Sequence, residues 1–304
     1  MIYQLLPYER TSELLESLFG YQPGGGTLKR IITEAHQALD RLEPQIETVI
    51  RGSPVGHADE TSIRVDGVTR WLHVIRTETH TSYYWSPYRG QKAHHADGLL
   101  PEYTGILMHD AYSSYFVHSY EHALCNAHLL RELQALVEGD PSQSWASQLM
   151  HLLRTAWTLV KTAKAEGLPA LPVDLADRID RLFDRIVARA SRLHPPRSRP
   201  EGQRGRVAQS TERNLINRLT QYKSAYLRFV FDFRVPFDNN LAERDLRMSK
   251  LQQKIAGSFR TDDGAHHFCR IRGYISTLRK HAVALLPALV SLWSPSPFFP
   301  ISAE

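Results

Sequence analysis

The chain has 304 residues, of which 42% are hydrophobic and 23% are charged. That composition is typical of a soluble globular protein, and it excludes a mainly disordered chain, a collagen-like repeat and a disulfide-stapled miniprotein. Cys125 and Cys269 are the two cysteines, and so low a cysteine content favours a reducing compartment. A secretory signal is not expected, because charged residues already occur at Glu9 and Arg10.

Positive charge is concentrated in the second half of the chain. The net charge is +5, but the segment from Arg178 to His281 holds 23 Lys and Arg against 10 Asp and Glu. The remaining residues hold 14 against 22. A basic half of this kind favours a polyanionic partner, most simply nucleic acid. A solvated basic helical face is the alternative interpretation.

Residues 7–50 are predicted to be helical. Gly20 and the run 24–26 should end a first helix, and Thr27 is a suitable N-cap for a second one that opens with Lys29 and Arg30. Two short helices across a glycine turn fit either a DNA-reading helix pair or a simple packing hairpin.

Residues 53–90 change to the alternating pattern of strands. Asp66-Gly67 lies between two alternating segments and predicts a tight hairpin turn, and a third strand is expected over 82–86. The apolar run 105–108 predicts a short strand buried on both faces, followed by a further short strand near 122–125 and a helix over 126–137.

The rest of the chain is predicted to be mainly helical. Helical periodicity fills 143–193, with a break at 167–172, and a basic loop follows over 194–206. Helices should resume near Ser210, start again at 238–240 and end with a long helix over 263–281. Residues 282–303 lack Asp, Glu, Lys and Arg, but their four prolines favour a short helix to about Trp293 and an irregular tail over a membrane span.

Three acids occupy positions suited to chemistry. Asp59 shares strand parity with Ile63 and Val65, so its carboxylate should point to the buried face. Asp110 ends the buried strand, where open α/β sheets place ligands, and Glu243 lies in the first turns of a helix. Each acid has a structural alternative. Asp59 could face a groove and pair with a neighbouring side chain, Asp110 could cap a helix, and Glu243 could form a capping box with Asn240.

The order of these acids along the chain favours one fold. The first acid lies on the first strand of a meander, the second lies 51 residues later after a buried strand, and the third lies on a helix 133 residues beyond it. This is the layout of RNase-H-like DDE nucleases and transposases. We therefore predict a mixed α/β, RNase-H-like fold with a central mixed sheet and an all-α insertion between the second and third acids. The predicted division is a helical segment 1–52, a first part of the core 53–140, an insertion 141–225 and a completion of the core 226–304.

Local sequence words resemble those of the transposases of the sixty-six family of bacterial insertion sequences. They include His-Ala-Asp-Glu-Thr at 57–61, His-Asp-Ala-Tyr at 109–112, Cys-Asn-Ala-His at 125–128 and Asp-Asn-Asn-Leu-Ala-Glu-Arg at 238–244. Gly-Ser-Phe-Arg at 257–260 and Thr-Leu-Arg-Lys at 277–280 also match. The resemblance covers about 6–289, and the word at 238–244 is the most specific of them.

The resemblance implies that Asp59, Asp110 and Glu243 are the catalytic triad of a metal-dependent transposase. Two divalent ions, Mg²⁺ or Mn²⁺, would suit three carboxylates better than Zn²⁺. In this hypothesis Asp59 bridges both ions while Asp110 and Glu243 hold one each. Water attacks first at the end of the element, and a freed 3′-hydroxyl then attacks target DNA. The implied partners are double-stranded DNA, further copies of the chain on that DNA and accessory proteins of the same element, in the bacterial cytoplasm at the nucleoid.

Basic residues around the acids are candidate DNA-phosphate contacts, with a solvated helix face as the alternative. They are Lys29, Arg30, Arg244, Arg247, Lys250, Lys254, Arg260, Arg279 and Lys280. Cys125 and His128 have the spacing of half a zinc site, but a structural role is favoured because no second pair follows nearby.

The resemblance has two gaps. Members of the family usually carry an upstream coiled coil and a small zinc- or DNA-binding module, and this chain is expected to begin after them. The arginine-rich residues 197–206 match no family word. A DNA-binding remnant without catalysis and a nuclease that cuts without joining are therefore the competing interpretations.

Overall fold

The computed structural model of the protein describes residues 1–198 and 207–300 and has a mixed α/β architecture. Five strands form one mixed sheet in the order β3-β2-β1-β4-β5. Their bounds are β1 (Val55–Val65), β2 (Val68–Arg76), β3 (Thr81–Ser86), β4 (Ile106–His109) and β5 (Glu121–Leu124).

Thirteen α-helices occur among the described residues. They are α1 (Tyr8–Phe19), α2 (Gly25–Ala38), α3 (Glu43–Arg51), α4 (Gln91–Asp97), α5 (Leu99–Glu102), α6 (Asn126–Gly139), α7 (Ser144–Ala165), α8 (Val173–Leu193), α9 (Thr211–Gln221), α10 (Lys223–Phe231), α11 (Asn240–Ala256), α12 (Asp262–Lys280) and α13 (Leu285–Val290).

The predicted meander is confirmed. β1 and β2 are antiparallel, and the turn residues Asp66 and Gly67 have φ values of 48° and 72°. Two consecutive left-handed residues define the tight turn that Asp-Gly favours, because its twist matches that of the flanking strands. β3 then pairs antiparallel with β2, which completes three strands in chain order.

A parallel strand extends the meander on its other side. β4 pairs with β1 so that Val55 lies opposite Ile106, and the Ile106 N–H donates to Pro54 O over 2.9 Å. A Cβ on Gly105 would lie 2.5 Å from Ser53 O, so the residue before β4 must be glycine for the two backbones to approach this closely. Every residue of β4 is buried, as its apolar run predicts.

The chain divides into two compact units, one of residues 1–121 with the chain from 240 onward and the other of residues 122–239. In the first unit the two faces of the sheet belong to different apolar clusters. Ala58 and Ile75 pack in one cluster with α3 and α12 residues such as Ile50 and Tyr274. The opposite face, which we call the α11 face, carries Ile63, Val65, Leu72 and Val74 packed with Ala242 and Leu246.

The second unit is mainly helical. Trp145, Leu149 and Phe183 are among the buried residues of α7 and α8, and these two helices are separated at the predicted break. Salt bridges add to the packing: Arg218 pairs with Glu132, and Lys223 lies 2.7 Å from carboxylate oxygens of both Asp180 and Asp184. The predicted insertion of 141–225 falls inside this unit, and the proposed domain boundaries stay a prediction.

Other predicted segments differ in detail. α2 begins at Gly25, and its N-cap Gly24 lies three residues before the cap predicted at Thr27. The basic loop predicted over 194–206 lies partly outside the described residues, which stop at 198 and resume at 207. Near the C-terminus, α13 and a short 3₁₀ turn to Trp293 match the predicted short helix. Among the described residues, no helix is both long and apolar enough to cross a bilayer.

Candidate active site

Asp59 lies in the middle of the sheet, on the face that α11 covers. Its strand neighbours on that face are Ile63 and Val65, and Val74 lies directly opposite it on β2. Asp59 Oδ1 accepts the N–H of Glu60 over 2.8 Å. The predicted parity is therefore correct, and one carboxylate oxygen of Asp59 already has a backbone donor.

Asp110 follows β4 directly and lies beside Asp59. Because His57 and Met108 are partners in the parallel pairing, two more residues along each strand bring Asp59 and Asp110 to the same level. Asp110 Oδ1 accepts the N–H of Tyr112 over 2.9 Å, which fixes the carboxylate in a tight turn after the strand.

Glu243 is positioned by the packing of α11 on the sheet. Its neighbours Ala242 and Leu246 are buried in the same cluster as Ile63 and Val65. The next turns of α11 are held as well, because Lys250 Nζ donates to Ser62 O over 2.5 Å. The backbone beyond the helix extends β1, with the Phe259 N–H donating to Arg64 O over 3.0 Å.

An ion pair fixes the same helix from the side of β2. The buried Arg76 guanidinium lies 3.3 Å from an Asp245 carboxylate oxygen, and the Tyr83 hydroxyl donates to Asp245 O over 3.1 Å. Asp245 therefore joins α11 to the sheet through Arg76. Thus α11 is fixed to β1 and β2 on either side of Glu243.

Asp110 and Glu243 are close enough to affect the pKa of Asp59. That pKa is raised to about 8, mainly by burial and also by the neighbouring carboxylates of Glu60, Asp110 and Glu243, against the Glu60 N–H that lowers it. Acidic neighbours that raise the pKa of a carboxyl mark a concentration of negative charge that a cation would neutralise. The structure therefore brings Asp59, Asp110 and Glu243 together.

The donor chemistry of this cluster fits a hard divalent cation. Oxygen donors are what Mg²⁺ and Mn²⁺ prefer, and a cation placed there would relieve the repulsion that raises the pKa of Asp59. Asp59 and Asp110 each give one oxygen to a backbone N–H, which orients the carboxylate and leaves its second oxygen for a ligand.

Cys125 and His128 lie at the start of α6 in the second unit. The Cys125 sulfur and a ring nitrogen of His128 lie within 4.8 Å of each other. Cys125 Sγ also accepts the N–H of Asn239 over 3.2 Å, where it supports the folding of this unit. Its structural role, predicted from the sequence, agrees with this hydrogen bond, and metal binding by the pair stays untested.

Three residues next to the triad received no role from the sequence. The Glu60 side chain is 1% exposed, its Oε1 accepts Arg89 Nε over 2.9 Å and its Oε2 accepts the Tyr115 hydroxyl over 2.5 Å. Burial raises the pKa of Glu60, whereas Tyr115 and Arg89 lower it. Glu60 belongs to the sequence word quoted at 57–61, whereas Tyr115 and Arg89 lie outside the quoted words.

The candidate DNA contacts divide by exposure. Lys250 and Lys280 point to backbone: Lys280 Nζ donates to Thr77 O over 2.9 Å and to His80 O over 2.7 Å. Burial lowers the pKa of Lys280 well below its usual range. These contacts favour structural roles for the two lysines. The remaining candidates are exposed: Lys29, Arg30, Arg244, Arg247, Lys254, Arg260 and Arg279.

Comparison with known proteins identifies one family. The family model described as "Transposase IS66 family" matches residues 2–267, which is most of the chain and includes all three acids. No curated protein matches the sequence.

Proposed function

Since this chain belongs to the IS66 family of transposases, we propose that it cuts DNA at the ends of its element and joins those ends to target DNA. The observation that carries this proposal is the cluster of Asp59 on β1, Asp110 after β4 and Glu243 on α11, where burial and the neighbouring carboxylates raise the pKa of Asp59.

The proposal includes an RNase-H-like core. It is supported by the order of the sheet, an antiparallel meander extended by the parallel strand β4. It is also supported by the placement of the acids on β1, after β4 and on a helix that packs on the same face of the sheet. That placement is the layout that the sequence predicted.

The chemistry follows from which acid neighbours which. When bound, two divalent ions would supply an activated nucleophile and a stabilised leaving oxygen. Asp59 has both other acids as charge neighbours, so it is the carboxylate suited to be shared, with Asp110 and Glu243 on either side. The turn at Tyr112 and the packing of α11 hold these two acids in place without help from the ligand.

The chemistry needs a phosphodiester bond at the cluster, and the chain offers cations to guide DNA there. Arg244, Arg247 and Lys254 are exposed on the helix that carries Glu243. Such side chains contact phosphates without reading sequence, so they position the duplex. Two chains would be expected to act together on two element ends, and accessory proteins of the same element are further expected partners.

The test is a cleavage and strand-transfer assay with a labelled duplex that carries the terminal repeat of the element, in Mg²⁺ or Mn²⁺. We expect Asp59→Asn, Asp110→Asn and Glu243→Gln each to reduce both steps by more than ~100-fold, because each removes a carboxylate that would hold the divalent ions. Glu78→Gln removes an exposed acid from the β2–β3 loop and is the matched control with full activity.

The same assay separates the competing functions. Cleavage without joining by the wild-type protein would favour a nuclease, and DNA binding without either step would favour a non-catalytic remnant. Full activity of any one triad variant would remove that acid from the proposed site.

A further inference from the structure

We propose that Arg89 is a phosphate-binding residue of the candidate active site, held ready by Glu60 to receive a DNA phosphate next to the bond that is cut. This inference rests on the proposed function, since it adds a substrate contact to that same site. No sequence word or family resemblance assigns a role to Arg89.

The guanidinium of Arg89 is fixed on three sides. Its Nε donates to the buried Glu60, and its Cζ lies 4.9 Å from the ring centre of Trp71 and 4.3 Å from that of Tyr112. Stacking of this kind orients the planar group and lowers the entropy that it would lose on binding a ligand. The side chain is nevertheless 43% exposed, so it remains accessible to a partner.

The free end of Arg89 is suited to a phosphate. In the described part of the chain, no acceptor bonds its two terminal Nη groups, so these donors face solvent or a ligand. A guanidinium whose Nε is already bonded can still donate from its two Nη groups, and their spacing matches the oxygens of a phosphodiester. A lysine at this position could supply the charge but neither the stacking nor the two spaced donors.

Arg89 also lies next to Asp110 of the triad. The ring on which it stacks belongs to Tyr112, whose backbone N–H holds the Asp110 carboxylate. The carboxylate that anchors it belongs to Glu60, which follows Asp59 and points to the other face of β1. A phosphate bound by Arg89 would therefore approach the acids from the side of Asp110, where a cation offsets the repulsion between DNA and the carboxylates.

The loop that carries Arg89 is packed on both sides of it. The Tyr88 N–H donates to Ser86 Oγ over 3.1 Å, and His73 Nε2 is 3.2 Å from Tyr88 O. After Arg89, a Cβ on Gly90 would lie 2.7 Å from Ser114 Oγ and 2.9 Å from the Tyr112 hydroxyl. The backbone therefore sits directly against the turn that follows Asp110, and Arg89 is positioned before any ligand arrives.

Glu60 acts in this scheme as a positioning residue. Its carboxylate would be costly to bury alone, and the Tyr115 hydroxyl and Arg89 together satisfy it. Tyr115 is itself 1% exposed and packs against the rings of His109 at 4.6 Å and His94 at 5.1 Å. The anchor is thus rigid. If Arg89 moved away, the buried Glu60 carboxylate would lose the positive charge that compensates it.

The experiment compares Glu60→Gln with the double variant Glu60→Gln/Arg89→Gln, because both lack the buried carboxylate and should fold alike. Binding of the terminal-repeat duplex is measured without catalysis, in Ca²⁺, at several salt concentrations. We expect the double variant to bind about tenfold more weakly than Glu60→Gln and its salt slope to be smaller by about 1, as for the loss of one phosphate contact. Arg64→Gln removes an exposed arginine from the far end of β1 and controls for lost charge.

A second measurement locates the contact. Single neutral methylphosphonates are scanned along the duplex, and the wild-type protein should lose affinity at a phosphate within about two nucleotides of the cleaved bond. The double variant should show no loss at that phosphate. Glu60→Gln should keep the salt slope of the wild-type protein, but its contact with that one phosphate should be weaker.

The outcomes distinguish this inference from the proposed function. If the wild-type protein cuts DNA in Mg²⁺ but the two scans are identical, Arg89 is not a phosphate contact while the catalytic proposal stands. If an Arg89-dependent phosphate appears but no cleavage occurs, the contact stands and the proposed catalysis fails. An equal salt slope in Glu60→Gln and in the double variant would also overturn the inference.

Discussion

Asp59→Asn should stabilise the metal-free protein at alkaline pH. In the folded protein, the ionised form of Asp59 is disfavoured by burial and by the neighbouring acids. The pKa of Asp59 is therefore raised from 3.8 to about 8. The unfolded chain carries no such penalty. A group with a raised folded pKa makes the folded state lose stability as pH rises from the unfolded pKa to the folded one. Asparagine keeps Oδ1 for the Glu60 N–H and removes the charge.

The magnitude follows from the width of that window. Each pH unit between the two pKa values costs about 1.4 kcal/mol of unfolding free energy. Between about pH 6 and pH 8, the ionisation of Asp59 therefore lowers the free energy of unfolding by about 2 kcal/mol, because the slope becomes smaller near the folded pKa. Other groups titrate in the same range, including Asp97, whose pKa is raised to about 7 by burial. Their contributions cancel when wild type and Asp59→Asn are compared.

The assay is denaturant unfolding of both proteins in EDTA at about pH 6, 7 and 8. From about pH 6 to pH 8, the unfolding free energy of Asp59→Asn should rise by about 2 kcal/mol relative to that of the wild type. Added Mg²⁺ should stabilise the wild type more strongly at the higher pH. Glu78→Gln, which removes an exposed charge from the same unit, serves as the control. A stability difference that stays constant with pH would refute the raised pKa of Asp59.

Three further variants test the packing that places the site. Ala242→Leu adds three carbons to a residue that is fully buried between α11 and β1, so it should cost about 1–3 kcal/mol in denaturant unfolding and reduce cleavage through displacement of Glu243. Gly105→Ala forces a Cβ to within 2.5 Å of Ser53 O, and its thermal midpoint should fall as β4 is pushed from β1; an unchanged midpoint would contradict the close approach. Lys280→Gln should lower the thermal midpoint through loss of the contacts with Thr77 O and His80 O, while a reduced salt slope of DNA binding would instead restore the predicted phosphate contact.

Local features of the sequence predicted most of the first unit. Asp66-Gly67 between alternating segments predicted the hairpin, and the apolar run at 105–108 predicted a buried strand, because turn conformation and strand burial depend on residues near in sequence. The candidate acids were also recognisable, Asp59 from its strand parity and Asp110 and Glu243 from their places at a strand end and near a helix start. Helix starts were less well predicted, since α2 begins on glycine without a side-chain cap.

Only the tertiary structure decided which charges meet. Glu243 reaches the sheet because Ala242 and Leu246 pack on Ile63, a contact between residues far apart in the chain. Arg89 pairs with Glu60 across 29 residues through a loop whose course no local pattern specifies. The same holds for Lys280, which resembled a DNA contact in sequence but donates to two backbone carbonyls. Periodicity fixes the face on which a side chain lies, whereas the partner opposite that face is set by the packing of the whole core.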